Sequence, residues 1–382
     1  MARLNDGLAV IVLTEPGNES TSAGWESNRA WTKMTPNHPL ERTRSGGLPR
    51  MDRRRFLLTS LTGALAIPFG AEALQAERPP VVGSIASGYR SDWVSGGRMA
   101  HVRPAFEDGL RDEGYVAGQN VVIDYRFGEG DPAKLPDVTA ALIARNVEVL
   151  VAHGPAAHRA ARAATTRIPI VATDYETDPV AAGLAQSLAR PGGNVTGAFL
   201  DQAELSGKWL ELVREVIPRL ARITAIHDTS TPADQSRALQ MSAKVFRVQV
   251  QTVEVSRVQD FEGAFAAASR NGAQAVVLLS SPLINRHGRE IADLATPKRL
   301  PTMSLFRENA IEGCLMAYGP AIVEAYRIAG HLVGRVLRGS RPAEIPIERP
   351  TRFELIINLK TAKALGLTIP QSVLVRADQV IE

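Results

Sequence analysis

Cysteine is all but missing from this 382-residue chain. A single one, Cys314, excludes an internal disulfide framework and any zinc site built on clustered cysteines. Aromatic residues are scarce too, at 5%, so each one near a loop end merits attention. Neither sign of charge prevails: 44 Lys and Arg face 40 Asp and Glu, a formal net charge of +4. Setting aside residues 1–76 leaves 35 basic against 33 acidic residues, a nearly neutral body that does not advertise nucleic acid as its partner. Catalytic signatures are lacking as well. There is no Walker-type glycine loop, no G-x-S-x-G and no H-E-x-x-H, so no enzyme is read here. GSIASG at 83–88 lacks the spacing of a dinucleotide fingerprint, and no cofactor is expected. His153 and His158 miss the i, i+4 spacing of two ligands on one helix face. They read as capping or solvated histidines, no metal is expected, and Cys314, in an apolar run, reads as a small buried residue.

What is present is an ordinary globular composition, 45% hydrophobic and 22% charged, long enough for two or three domains. The N-terminal part stands apart. At 51–58 the sequence reads MDRRRFLL, followed by an apolar stretch to Phe69 and small residues at Ala71, Ala73 and Ala76. That stretch is about half the length of a membrane span, so it reads as the core of an export signal over 51–76, not an anchor. Two arginines, any residue, then Phe-Leu resemble the twin-arginine motif. Because such a signal is read at an N-terminus, Met51 is expected to be the true start. Residues 1–50, which lack periodicity, are then upstream sequence. No cysteine stands at the cleavage point to take a lipid.

From Pro79 onward short apolar runs alternate with amphipathic helical stretches. Strands are expected at 81–85, 121–125, 147–151 and 168–172, with helices at 99–114, 135–145, 156–164 and 180–188. After the turn cluster RPGGN at 190–194 the cycle restarts. Helices are expected at 205–216, 232–246, 261–271 and 286–294, and strands at 223–227, 248–254, 275–280 and 301–306. The tail adds a short strand at 314–318, a long helix at 321–338, an extended segment at 345–359 and a helix near 361–365. This alternation predicts an α/β protein: two Rossmann-like lobes, each a parallel, doubly wound sheet covered on both faces. The late elements imply that the chain crosses between lobes more than once, which makes a hinge. The first lobe is expected to comprise 79–198 with 313–340, and the second 199–312 with 341–382.

In open α/β sheets ligands bind beyond the carboxyl ends of the strands. In the first lobe those ends carry Ser87, Tyr89 and Trp93, then Gly154, Pro155 and Ala156 after His153, then Asp174 and Tyr175. In the second they carry Asp228, Ser280 and Phe306. Gly154-Pro155-Ala156 opens a helix whose free N–H groups suit a ligand carboxylate. Tyr89, Trp93, Tyr175 and Phe306 offer apolar walls, and Asp174 or Asp228 can pair an ammonium. For each residue alone, loop packing or capping is an equal reading.

Four stretches carry a family resemblance: FEDGLRDEGY at 106–115, SLARPGGNVTG at 187–197, RPTRFELIINLKTAKALGLTIP at 349–370 and RADQVIE at 376–382. Through them the chain resembles, from about Val81 to Glu382, the substrate-binding proteins of ABC transporters, including the bacterial tryptophan and tyrosine binders. The resemblance implies a periplasmic-binding-protein fold of type I with three crossovers. It also implies a periplasmic monomer that takes a small molecule, such as an amino acid, between its lobes. Its partners would be a membrane permease and that permease's ATPase. The chain has Asp228-Thr229 where the family often has Asn-Pro, which adds a negative charge near the cleft, and Gly313-Cys314 where it often has Gly-Gly. Two rival readings remain. A ligand-sensing domain of a regulator would use the same lobes but calls for an N-terminal helix-turn-helix, and an enzyme would need a cofactor fingerprint.

Overall fold

The computed structural model of the protein describes residues 78–175, 178–201 and 204–382. The expected export segment and everything before it lie outside these residues. Six consecutive buried residues, VVGSIA, form β1 (Val81–Ala86). A strand without alternation must be covered on both faces, and here it lies between β2 (Val122–Phe127) and β3 (Val149–His153), parallel to both. Parallel neighbours need helical crossovers. The intervening helices are α1 (Arg90–Trp93), α2 (Val102–Asp112), α3 (Leu135–Ala144) and α4 (Pro155–Ala164). β4 (Ile170–Tyr175) and β5 (Val195–Phe199) complete a five-stranded parallel sheet of order β2-β1-β3-β4-β5. One apolar cluster, including Val82, Phe106 and Leu110, packs on one face, and another, including Ile85, Leu142 and Leu150, on the other.

The chain then leaves for a second sheet. In order come α5 (Ser206–Val216), β6 (Arg222–Asp228), α6 (Asp234–Phe246), β7 (Gln249–Val255), α7 (Asp260–Arg270), β8 (Ala275–Leu278), α8 (Pro282–Arg286) and α9 (Gly288–Ala295). They are followed by β9 (Thr302–Ser304), α10 (Arg307–Ile311), β10 (Met316–Pro320) and α11 (Ile322–Leu337). The chain ends with β11 (Phe353–Asn358), α12 (Leu359–Leu365), α13 (Gln371–Leu374) and β12 (Gln379–Ile381). The seven-stranded order is β12-β11-β10-β9-β8-β6-β7. This is the α/β architecture of two doubly wound lobes, with three differences from expectation.

First, the second sheet is not wholly parallel, because β11 runs antiparallel to β10. Second, β10 belongs to the second sheet and not to the first lobe, since Met316 and Ala317 pair with β9. Phe199 and residues 345–348, expected in the second lobe, lie instead on the first. The Thr196 hydroxyl donates to the Ile345 carbonyl at 3.0 Å, and the Glu348 N–H to the Gly197 carbonyl at 2.9 Å. Third, no helix forms at 180–188. After one turn the N–H groups of Leu184 and Ala185 both go to the Pro179 carbonyl, and that of Gln186 reaches forward to Pro191.

The helix α11 carries the chain back to the first lobe. Its Tyr326, Ala329 and Val333 are buried beside Phe106 and Leu110 of α2. The two helices touch backbone to backbone: a methyl group at Gly109 would meet the Arg327 carbonyl, and one at Gly330 the Phe106 carbonyl. Among the described residues the chain passes between the lobes next to Asp201 and Glu204, at Ala321 and at 349–352. These crossings are tied to one another. Arg349 lies 2.9 Å from Asp201 and 3.7 Å from Glu204, and the Ala321 N–H donates to the Arg352 carbonyl at 2.9 Å. Among the described residues no helix is long and apolar enough to cross a membrane.

Candidate functional site

Residues at the carboxyl ends of both sheets line a shared cleft, the edge at which open α/β sheets bind ligands. On the first lobe β3 ends at His153, and Gly154 adopts φ 80°, a conformation that a side chain would strain. That turn starts α4 with Pro155 in its first turn. The first-turn N–H groups of Ala156 and Ala157 have no intrahelical acceptor and leave the positive end of the helix dipole at the cleft. Burial holds His153 neutral, its pKa lowered to about 3. Its ring lies flat on Tyr326, 5.1 Å between centroids, and edge-on to Trp93 at 4.8 Å. The Ser84 hydroxyl is 2.9 Å from Nε2 and the Thr173 hydroxyl 3.3 Å from Nδ1. His153 is thus a buried aromatic wall and not a capping or solvated group. His158 is buried as well, and desolvation followed by the charges of Arg162 and Arg159 lowers its pKa to about 4.

On the second lobe a buried glutamine fixes the end of β8. Gln235 Nε2 donates to the Ser280 carbonyl at 3.0 Å, and the Ser280 N–H donates back to Oε1 at 2.8 Å. Ser281 caps α8 by accepting from the Ile284 N–H at 3.0 Å. Asp228 is buried, and its carboxylate accepts from the Ser230 N–H at 2.9 Å, closing the loop after β6.

The cleft has two connected chambers, of about 160 and 260 Å³, which share Ser87, Gly88, Asp92, Pro155, Pro282 and Arg286. Of the expected residues, Ser87, Trp93, Gly154, Pro155, Ser280 and Phe306 line the inner chamber. Tyr89, Ala156 and Asp228 line the outer one. The side chains of Asp174 and Tyr175 lie outside what is described; their backbone ends β4. Met99, Ile322, Tyr326, Arg98, Asn285 and Glu308 also face the inner chamber and were not anticipated. Glu308 and Arg286 had a sequence signal, since each lies within about a turn of a strand end already singled out. Tyr326 had none, because it arrives on a helix from the opposite direction.

Polar contacts span the cleft. Asp92 of the first lobe pairs with Arg286 of the second, and the guanidinium lies 3.7 Å from the centroid of Tyr89. Arg98, also of the first lobe, donates to Glu312 and to Asn309 of the second, each at 2.6 Å. His101 Nε2 stands 3.1 Å from Glu308 Oε1. The cleft can therefore take a small solute against an aromatic wall while charged groups of both lobes close over it. Among the described residues no cluster suits a metal ion.

A family model described as ABC transporter substrate binding protein matches residues 91–381. The tyrosine-binding protein of Clostridioides difficile (strain R20291) is 28% identical over 266 residues, 69% of this chain and 76% of that protein. Among solved structures, an ABC domain in complex with L-Trp from Streptococcus pneumonia superposes with a TM-score of 0.72 at 24% identity. The match covers 80% of this chain and all of that one. A ligand-free, open substrate-binding protein with adhesive properties from Clostridium difficile superposes at 0.60 with 21% identity, covering 79% of this chain and 99% of that one.

Proposed function

The chain belongs to the ABC transporter substrate binding protein family, whose members bind solutes without catalysis, and from that premise we propose that it captures an aromatic amino acid for import. The observation that carries the reading is the make-up of the inner chamber. Trp93, His153, Tyr326 and Phe306 provide its apolar faces, and the opening turn of α4, whose Ala156 lines the adjoining chamber, offers N–H donors for a carboxylate beside it. The tyrosine-binding relative and the L-Trp complex support the same class of solute.

The solute stabilises whichever arrangement lets both lobes touch it, so binding shifts the population toward closure about the three crossings. A monomer in the closed form then delivers its cargo, unchanged, to a membrane permease driven by a separate ATPase. The export signal expected at 51–76 supports action in the periplasm, with the twin-arginine route as the way out.

The test is a thermal-shift and calorimetric screen of the mature chain against the twenty amino acids, purines and small carboxylates. A saturating aromatic amino acid is expected to raise apparent stability by about 2.7 kcal/mol at a hundredfold excess over its Kd. A screen in which no amino acid binds, while a purine or a simple carboxylate does, overturns the solute class.

A further inference from the structure

The two chambers of the cleft join at a neck, formed by the residues that line both. Most of that ring is fixed. Ser87 and Gly88 are pinned by the facing loop, since the N–H groups of Gly130 and Glu129 donate to their carbonyls at 2.9 and 3.1 Å. Pro155 and Pro282 sit in the first turns of α4 and α8, where their closed rings cannot swing aside. Of the six described residues in the ring, only Asp92 and Arg286 carry side chains that can open or shut it.

They hold it shut. Arg286 reaches over from the second lobe to pair with Asp92, and its guanidinium lies 3.7 Å from the centroid of Tyr89. The seat belongs to the first lobe. Tyr89 stands against Gly130, where a methyl group would meet its hydroxyl end, and the Asp92 carbonyl accepts from the Met99 N–H at 2.7 Å. The two sides of the neck differ in kind. Aromatic faces lie inside, whereas Arg159, Asp228, Ser230 and Ser256 line the outer chamber.

We propose that the Asp92–Arg286 pair is a length filter, which admits a free aromatic amino acid and refuses one extended through its carboxyl group. The inference rests on the amino-acid reading above, in which the carboxylate lies beside the opening turn of α4, and adds a size limit to it. Pro155 of that turn is part of the neck, so a group bonded to the carboxyl carbon has to pass Arg286. A peptide that does so parts the ion pair and lifts the guanidinium off Tyr89, and those losses count against the peptide alone.

The experiment is calorimetry of the mature chain with L-tyrosine, Tyr-Gly and Gly-Tyr, repeated with L-tryptophan, Trp-Gly and Gly-Trp. The proteins are the wild type, Arg286→Ala and the double variant D92N/R286A, which leaves no unpaired carboxylate in the neck. The wild type is expected to prefer the free amino acid over its carboxyl-extended dipeptide by about 30-fold. In both variants that ratio is expected to fall to about threefold or less, while the ratio against the amino-extended dipeptide stays as it was. Circular dichroism checks folding. If neither variant folds, the wild type decides, and a ratio below about threefold overturns the filter. An unchanged ratio in a folded variant also overturns it, as does an equal gain for both dipeptides, which would show general loosening of the cleft. Each of these leaves the solute class standing. A wild type that binds neither amino acid nor any of the dipeptides removes the solute class and the filter together.

Discussion

Burial decides how several single residues behave. His153 and His158 have folded pKa values near 3 and 4, below the ordinary 6.5. As pH falls below 6.5 the unfolded chain takes up protons that the folded one refuses. Stability is therefore fully present above that value and lost on the way down to the folded values. The slope is roughly 1.4 kcal/mol per pH unit for each histidine. Urea unfolding between pH 7 and pH 4.5 is expected to show this loss, with about half the histidine slope removed in His158→Gln. An unchanged slope would mean that other groups carry the acid sensitivity. Cys314 is the parallel case at the other end of the scale. Burial pushes its thiol up to about 12, so it behaves as the small core residue its apolar run suggested. It is expected to resist a thiol reagent in buffer and to react within minutes in 6 M urea; fast labelling of the native protein would contradict its enclosure.

At the scale of elements, the contact of α2 with α11 sets the geometry of one wall of the cleft, because Tyr326 and Ile322 project into the chamber from α11. The contact depends on glycine at the crossing. Gly330→Ala would drive a methyl group into the Phe106 carbonyl, where backbone cannot yield as a flexible side chain would. Such overpacking costs about 1–3 kcal/mol, to be read from the urea midpoint at unchanged m-value. Equal stability of the variant would show that the helices can part. This crossing also marks the limit of what the sequence disclosed. Short apolar runs announced most strands, and FEDGLRDEGY announced α2, since local periodicity records which face is buried. Which sheet a strand joins is decided by pairing partners far away in the chain. For that reason β10 and the stretch at 345–348 changed lobes, and the reversed β11 went unforeseen. The proposed helix at 180–188 failed on one competing acceptor, the Pro191 carbonyl. Strand-end residues of the cleft were legible because topology places them there. Arg98 and Tyr326 were not, since a long loop and a returning helix bring them in.

For the molecule as a whole, the balance between open and closed arrangements follows from how weak each cross-cleft contact is. Asp92 with Arg286 and Arg98 with Glu312 are partly exposed pairs, and pairs of that kind are worth about 0.2–1 kcal/mol each. Their sum is a bias that a bound solute can complete or that salt can erase. The tied crossings, by contrast, restrict the path of motion without favouring either end, because Arg349, Asp201 and the Ala321–Arg352 hydrogen bond lie at the pivot and not across the cleft. The solute-free protein is therefore expected to loosen when the cross-cleft pairs are removed. In small-angle scattering of the mature chain the double variant D92N/R98M should exceed the wild-type radius of gyration, about 19 Å for a compact body of the roughly 306 residues that follow the expected signal, by roughly 3–5%. Raising salt from 50 to 500 mM should do the same to the wild type and little to the variant. Saturating L-tyrosine should bring both to one smaller radius, with the variant needing about five times more of it, the equivalent of roughly 1 kcal/mol lost from the closed form. Identical radii for the wild type and the variant at low salt would assign closure to the crossings alone. The charged rim would then be left with the encounter rate as its only effect.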